Sequence, residues 1–99
     1  MHNLEHGYIV LAYRCPTAED CVTDEEMAQI QEWFNTAPDS GNPGCAKKVL
    51  AVRFDQMETR FALLAWGRAL LFDDFNLDTA NTFVQQWMNH DAVPEPNAC

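Results

Sequence analysis

The chain has 99 residues, 47% of them hydrophobic, and carries fifteen acidic side chains against six basic ones for a formal net charge of −9. That charge argues against nucleic-acid backbones and anionic lipid surfaces as partners, and the apolar content argues against disorder. The length suits one domain, 1–99, with one modest core, and no apolar run reaches the ~20 residues of a membrane helix, so direct membrane insertion of this chain is not expected.

After the opening His2-Asn-Leu-Glu-His-Gly7, residues 8–13 (YIVLAY) are β-branched and aromatic without polar interruption, which predicts a buried strand. Thr23-Asp-Glu-Glu26 has the form of a capping box and opens a first helix. Met27, Ile30, Trp33 and Phe34 recur at intervals of three and four and form its inward face. The Pro- and Gly-rich stretch 38–44 ends it. Residues 48–54 read as a second strand, and 61–66 with 69–72 as two further strands paired antiparallel. Gly67-Arg68 between them predicts a type II′ turn with glycine first. Leu77, Ala80, Phe83, Val84, Trp87 and Met88 follow the i, i+3, i+4, i+7 pattern of a second helix, capped by Asn76 or Asp78. The expected fold is therefore α+β: a small, mostly antiparallel sheet of about four strands, in the order β-α-β-β-β-α, covered by two amphipathic helices. The three tryptophans are expected in the core.

Cys15, Cys21, Cys45 and Cys99 form an even set, all in expected loops or at the terminus. The preferred pairing is Cys15–Cys21 and Cys45–Cys99. A four-thiolate zinc site is disfavoured because no C-x-x-C pair is present. Disulfides imply an oxidising, extracytoplasmic compartment, periplasmic or secreted. The sequence contains no export signal, so export would require one on a longer precursor.

With only three histidines in the chain, their placement is informative. His2 and His6 form H-x-x-x-H, and imidazoles four residues apart converge on one ion if the segment makes a helical turn. In a strand they would stand ~13 Å apart. His90 follows Met88, a thioether and imidazole pair suited to copper, although Met88 also completes the apolar stripe of the second helix. The structural alternative has the rings of His2 and His6 bonded to backbone carbonyls. Ser40, the only serine, lacks a G-x-S-x-G context, and there is no phosphate-binding glycine loop. No catalytic motif is complete, and a metal-dependent enzyme would need an open coordination position with an acid-base group such as Glu5.

The phrase HNLEHG before an apolar strand ending in Tyr13-Arg14, the Ala65-Trp-Gly-Arg68 motif followed by Leu-Leu-Phe-Asp, and a helix ending near His90 with Pro94-Glu95 beyond it resemble domain-of-unknown-function family 3105 over nearly the whole chain. The resemblance implies a bacterial, extracytoplasmic domain, often tethered by an N-terminal membrane helix, and assigns no activity. The family pattern has a Ser-Gly-Pro-His stretch upstream of HNLEHG that this sequence does not contain. The expected function is a non-catalytic metal-binding domain, copper ahead of zinc, with His2 and His6 as ligands and His90 or Met88 completing the set. The alternative is a ligand-free interaction or structural module that engages a protein partner or a second copy of itself.

Overall fold

A computed structural model describes residues 2–90 and 92–99, with the side chains of His2 and Asn3 outside that description. The elements are α1 (His2–Glu5), β1 (Ile9–Tyr13), α2 (Asp24–Thr36), β2 (Val49–Arg53), β3 (Phe61–Ala65), β4 (Arg68–Phe72) and α3 (Leu77–Trp87). The fold is the expected α+β arrangement, preceded by one short helical turn.

The four strands form a single mixed sheet in the order β2-β1-β3-β4. β1 pairs parallel to β2 and antiparallel to β3, and β3 pairs antiparallel to β4. The parallel pair needs a long crossover, which α2 supplies. β1 takes a central position because it is apolar on both faces: Ile9, Val10, Leu11 and Ala12 are all buried. Alternation sends Ile9, Leu11, Val49, Phe61, Leu63 and Ala65 to one face, where they pack against Ile30 and Trp33 of α2 and Ala80, Phe83 and Val84 of α3. Trp33 is fully buried, and its indole N–H donates to Ala80 O at 3.2 Å, joining the two helices.

Three details depart from the sequence reading. Met27 is 36% exposed, because its place on α2 is over the margin of β2 and not over the centre of the sheet. Trp66 is half-buried in the hairpin turn instead of in the core. The turn itself is shifted by one residue. Ala65 pairs with Arg68, so Trp66 and Gly67 are the turn residues and Gly67, with φ +73°, stands second. That is the glycine position of a type II turn. Arg68 joins the ladder and lays its guanidinium over the Trp87 ring of α3 at 4.5 Å.

Both helices start as their caps require. The Thr23 hydroxyl accepts from the Glu26 amide at 3.1 Å, while the Glu26 carboxylate accepts from the Thr23 amide at 2.9 Å. Asn76, not Asp78, caps α3, its side-chain oxygen accepting from the Thr79 amide at 2.9 Å. The disulfides are Cys15–Cys21 and Cys45–Cys99, the expected pairing. With sequence separations of 6 and 54, they stabilise by about 2 and about 4 kcal/mol in the chain-entropy account.

Glu26 does more than cap. Its two oxygens also accept from the Arg60 guanidinium at 2.5 and 2.9 Å, which ties the start of α2 to the start of β3. These Arg60 hydrogen bonds hold the Glu26 carboxyl below its ordinary value; partial burial opposes them and the Thr23 amide reinforces them. A carboxyl whose pKa is lowered by folding stabilises the fold above its unfolded value of about 4.3 and loses that contribution as pH falls through the folded value. Glu26→Gln is therefore expected to destabilise the protein by a constant amount above pH ~5 and by progressively less below pH ~4. Urea unfolding of both proteins across that range checks this, and a gap that does not narrow in acid would refute it.

Candidate functional site

The HNLEHG motif, the loop at 40–42, the end of α3 and the C-terminal tail meet around one side chain. Lys48 is 0% exposed. Its ammonium donates to His6 O at 2.6 Å, Pro96 O at 2.9 Å and Asn89 Oδ1 at 3.0 Å. An ammonium has three N–H donors and a neutral amine two, so this set of acceptors suits the charged form. Burial pulls the Lys48 pKa below its ordinary value, and the three acceptors work against that pull. Asn89 continues the network by donating to Ser40 O at 3.0 Å, and Asn42 donates to Pro96 O at 3.0 Å.

Asn89 occupies this position because α3 ends there in a left-handed residue. Its φ is 51°, a conformation asparagine tolerates better than most residues, and its amide donates to Gly7 O at 3.2 Å. Gly7 has φ +90°, and a Cβ there would lie 1.9 Å from Asn89 Oδ1. The glycine of HNLEHG is thus required twice, by its backbone and by its neighbour.

The expected ligands are engaged as follows. His6 Nε2 lies 3.2 Å from Glu95 Oε2. His90 Nε2 lies 2.8 Å from Trp66 O and can only donate to it, and His90 Nδ1 accepts from the Ala92 amide at 3.3 Å. The His90 ring also meets Trp87 edge-on, with centroids 5.4 Å apart. Its partners therefore explain the AWGR motif: the Trp66 carbonyl and the Arg68 guanidinium both fasten the hairpin to the end of α3. Met88 packs half-buried against the core. The His2 ring lies outside the described residues. The histidine and methionine expected to complete a metal shell thus have partners of their own, and among the described residues no group of three or more His, Cys, Asp and Glu side chains is placed to hold a metal ion.

A second feature was not foreseen. α2 and α3 cover one face of the sheet, leaving on the other Val10 and Ala12 of β1, Leu50 and Val52 of β2 with Phe54 just beyond, Ala62 and Leu64 of β3, and Ala69 and Leu71 of β4. Every one is apolar. Leu71 is 58% exposed, Phe54 52% and Val52 38%, whereas Val10, Ala12 and Ala62 at the centre are each 2% exposed. A pocket of about 150 Å³ lies between Val10, Ala12, Val52, Arg53, Phe54 and Leu64. Antiparallel sheets that face water ordinarily turn polar side chains outward. The signal was present in the sequence: the runs YIVLAY, VLAV, FALLAW and ALLF are apolar at both alternations, while the chain has helices enough for one layer.

These features define a two-layer α+β domain, closed by two disulfides around a buried lysine, with one apolar sheet face on which neither α2 nor α3 packs. The chain belongs to the family of proteins of unknown function DUF3105, whose model matches residues 1–99. No curated protein and no solved structure matches it. The two disulfides point to an oxidising environment, and no helix among the described residues is long and apolar enough to cross a membrane.

The buried network carries a stability prediction. Lys48→Met removes the donor that His6 O, Asn89 Oδ1 and Pro96 O share, of which Pro96 O keeps the Asn42 side chain, and is expected to cost about 3 kcal/mol. Gly7→Ala, which adds a clash with Asn89 to an unfavourable φ, should cost about 2 to 4 kcal/mol. Gly67→Ala, also at positive φ but with open space around its Cβ position, should cost about 1 kcal/mol. Denaturant melts of the three variants test the ranking, and equal losses at Gly7 and Gly67 would show that the Asn89 contact contributes nothing.

Proposed function

We propose that this domain is a non-catalytic, extracytoplasmic interaction module that docks a protein on the sheet face opposite α2 and α3. The observation that carries the reading is the exposed apolar margin of that face, Val52 with Phe54 on one side and Leu71 on the other, with Phe54 and Leu71 more than half exposed. Contiguous exposed apolar surface of this kind marks interaction sites in soluble proteins. Export by a signal on a longer precursor, with or without a membrane tether, belongs to the same proposal and agrees with the two disulfides. A photoreactive amino acid placed at Phe54 or Leu71 in the producing cell should give discrete protein adducts, whereas one at the exposed Glu32 of α2 should not. Adducts no more frequent at 54 and 71 than at 32 would remove the reading.

A second reading is metal binding by His2 and His6. It is favoured by the helical turn of α1, the condition under which positions 2 and 6 share a face, and by the Glu95 carboxylate 3.2 Å from His6 Nε2. Two imidazoles and a carboxylate suit zinc better than copper. In this reading His90 would have to break two hydrogen bonds to join the shell, and Met88 would have to leave the core. Metal analysis of the purified domain and of His2→Ala/His6→Ala decides it: stoichiometric zinc or copper held only by the parent is the expected result, and no difference between the two rejects the site.

A further inference from the structure

We infer that the free edge of β4 pairs with β4 of a second copy of this chain, antiparallel about a two-fold axis at Leu70, which joins the two sheets into one; the inference rests on the interaction reading above, at its Leu71 margin. The backbone fixes which groups face outward. Arg14 N–H donates to Arg60 O, and residues along an antiparallel ladder alternate between bonding to one neighbour and to the other. Arg60, Ala62 and Leu64 therefore turn their backbone to β1, while Phe61, Leu63 and Ala65 turn theirs to β4. Their partners Phe72, Leu70 and Arg68 bond to β3, which leaves the N–H and C=O of Ala69 and Leu71 pointing off the sheet. β4 is the last strand, and among the described residues nothing pairs with these groups. Edge strands are ordinarily protected by a proline, a bulge, a lysine or an inward charge. Between Arg68 and Asp73 this one has none: Ala69, Leu70 and Leu71 are exposed, and the register with β3 is unbroken. Outward main-chain donors and acceptors in alternation are matched by another extended chain, not by a lipid or a helix.

Two observations select a second copy as that chain. The first is self-complementarity. With Leu70 on the axis, Ala69 of each copy stands opposite Leu71 of the other, and the two pairs exchange about four main-chain hydrogen bonds. A small side chain thus meets a large one, and Leu70 meets its own counterpart beside the groove of about 270 Å³ between β4 and α3. Arg68 of each copy stands opposite Phe72 of the other, two residues before Asp74, so the one cation of the strand meets an aromatic ring and an acidic end. The second observation is where the charge lies. The chain carries −9 in all, but its two edges differ. The other edge strand, β2, borders α2, which holds Asp24, Glu25, Glu26 and Glu32, so pairing there would bring two acidic helices together. α3, which borders β4, holds Asp78 alone, and Thr79, Thr82 and Gln86 line its groove. Pairing through β4 puts both copies of α3 on the same side of the joined sheet, with these uncharged side chains along the junction. The contact runs about 16 Å along the strand and about 16 Å along α3, which places it among weak interfaces, below the ~800 Å² per partner of standard ones.

Sedimentation equilibrium of the intact, disulfide-bonded chain at up to about 1 mM tests this, and a reversible monomer–dimer equilibrium with a dissociation constant on the order of 100 µM is expected. Ala69→Pro removes an outward N–H and none from the β3 ladder, and should weaken the dimer at least about tenfold. Leu71→Lys, which places a charge on the edge, should do the same. Concentration-dependent NMR shifts on the unmodified protein should fall at residues 68–72, 79, 82 and 86 and leave 51–53 unchanged, which keeps the test independent of how the variants fold. A chain that stays monomeric at the highest of these concentrations would overturn the inference. So would a dimer that both variants retain, or shifts centred on β2. Monomeric behaviour together with adducts from positions 54 and 71 to other proteins would overturn the dimer alone and leave the interaction reading standing.

Discussion

The Lys48 ammonium is the interaction around which this domain is organised. A cation buried without a carboxylate among its hydrogen-bond partners is costly, and it is retained here because three oxygens from three separate segments accept its three protons. The cost is also a constraint. His6, Asn89 and Pro96 must arrive together, so the motif before β1, the end of α3 and the C-terminal tail form as one unit. The Cys45–Cys99 disulfide reinforces the same junction from the other side, holding the tail to the loop that precedes Lys48. Lysine here acts as a connector between loops that have few apolar side chains of their own.

That junction gives both family-defining phrases a physical role. HNLEHG ends in a glycine because the backbone turns at positive φ directly against Asn89. AWGR supplies the carbonyl that His90 binds and the guanidinium that lies on Trp87. Both therefore fasten to the four residues that terminate α3. A helix packed on one face of a small sheet is held mainly by its apolar stripe, and its orientation is fixed by what happens at its ends. In this chain the N-terminus of α2 is held by the Glu26–Arg60 fork, and the C-terminus of α3 by these two motifs.

The start of α2, the burial of β1 and the cysteine pairing were legible in the sequence because they rest on local signals: a capping box, an uninterrupted apolar run, loop placement. What was not legible depends on tertiary partners. His90 has the same sequence appearance whether it ligates a metal or donates to Trp66 O. Lys48 reads as the polar start of a strand until the segments around it are placed. Asn89 was the missed signal within reach, since an asparagine just after an apolar helical stripe is a recognised left-handed terminator. The hairpin turn is shifted by one residue because glycine also suits the second turn position, where a type II turn needs positive φ, and the sequence alone does not choose between the two registers.

The apolar sheet face opposite the helices follows from the same accounting of layers. Strands apolar on both faces are characteristic of sheets buried on both sides, and two helices of eleven and thirteen residues suffice for one. An isolated domain could relieve the mismatch by placing polar residues at Val52, Phe54 and Leu71, positions that touch neither the core cluster nor the Lys48 junction. Val52 and Phe54 line one hollow with the buried Val10 and Ala12, so the mismatch is confined to the margins of the face, over the end of β2 and over β4, where Val52, Phe54 and Leu71 remain exposed.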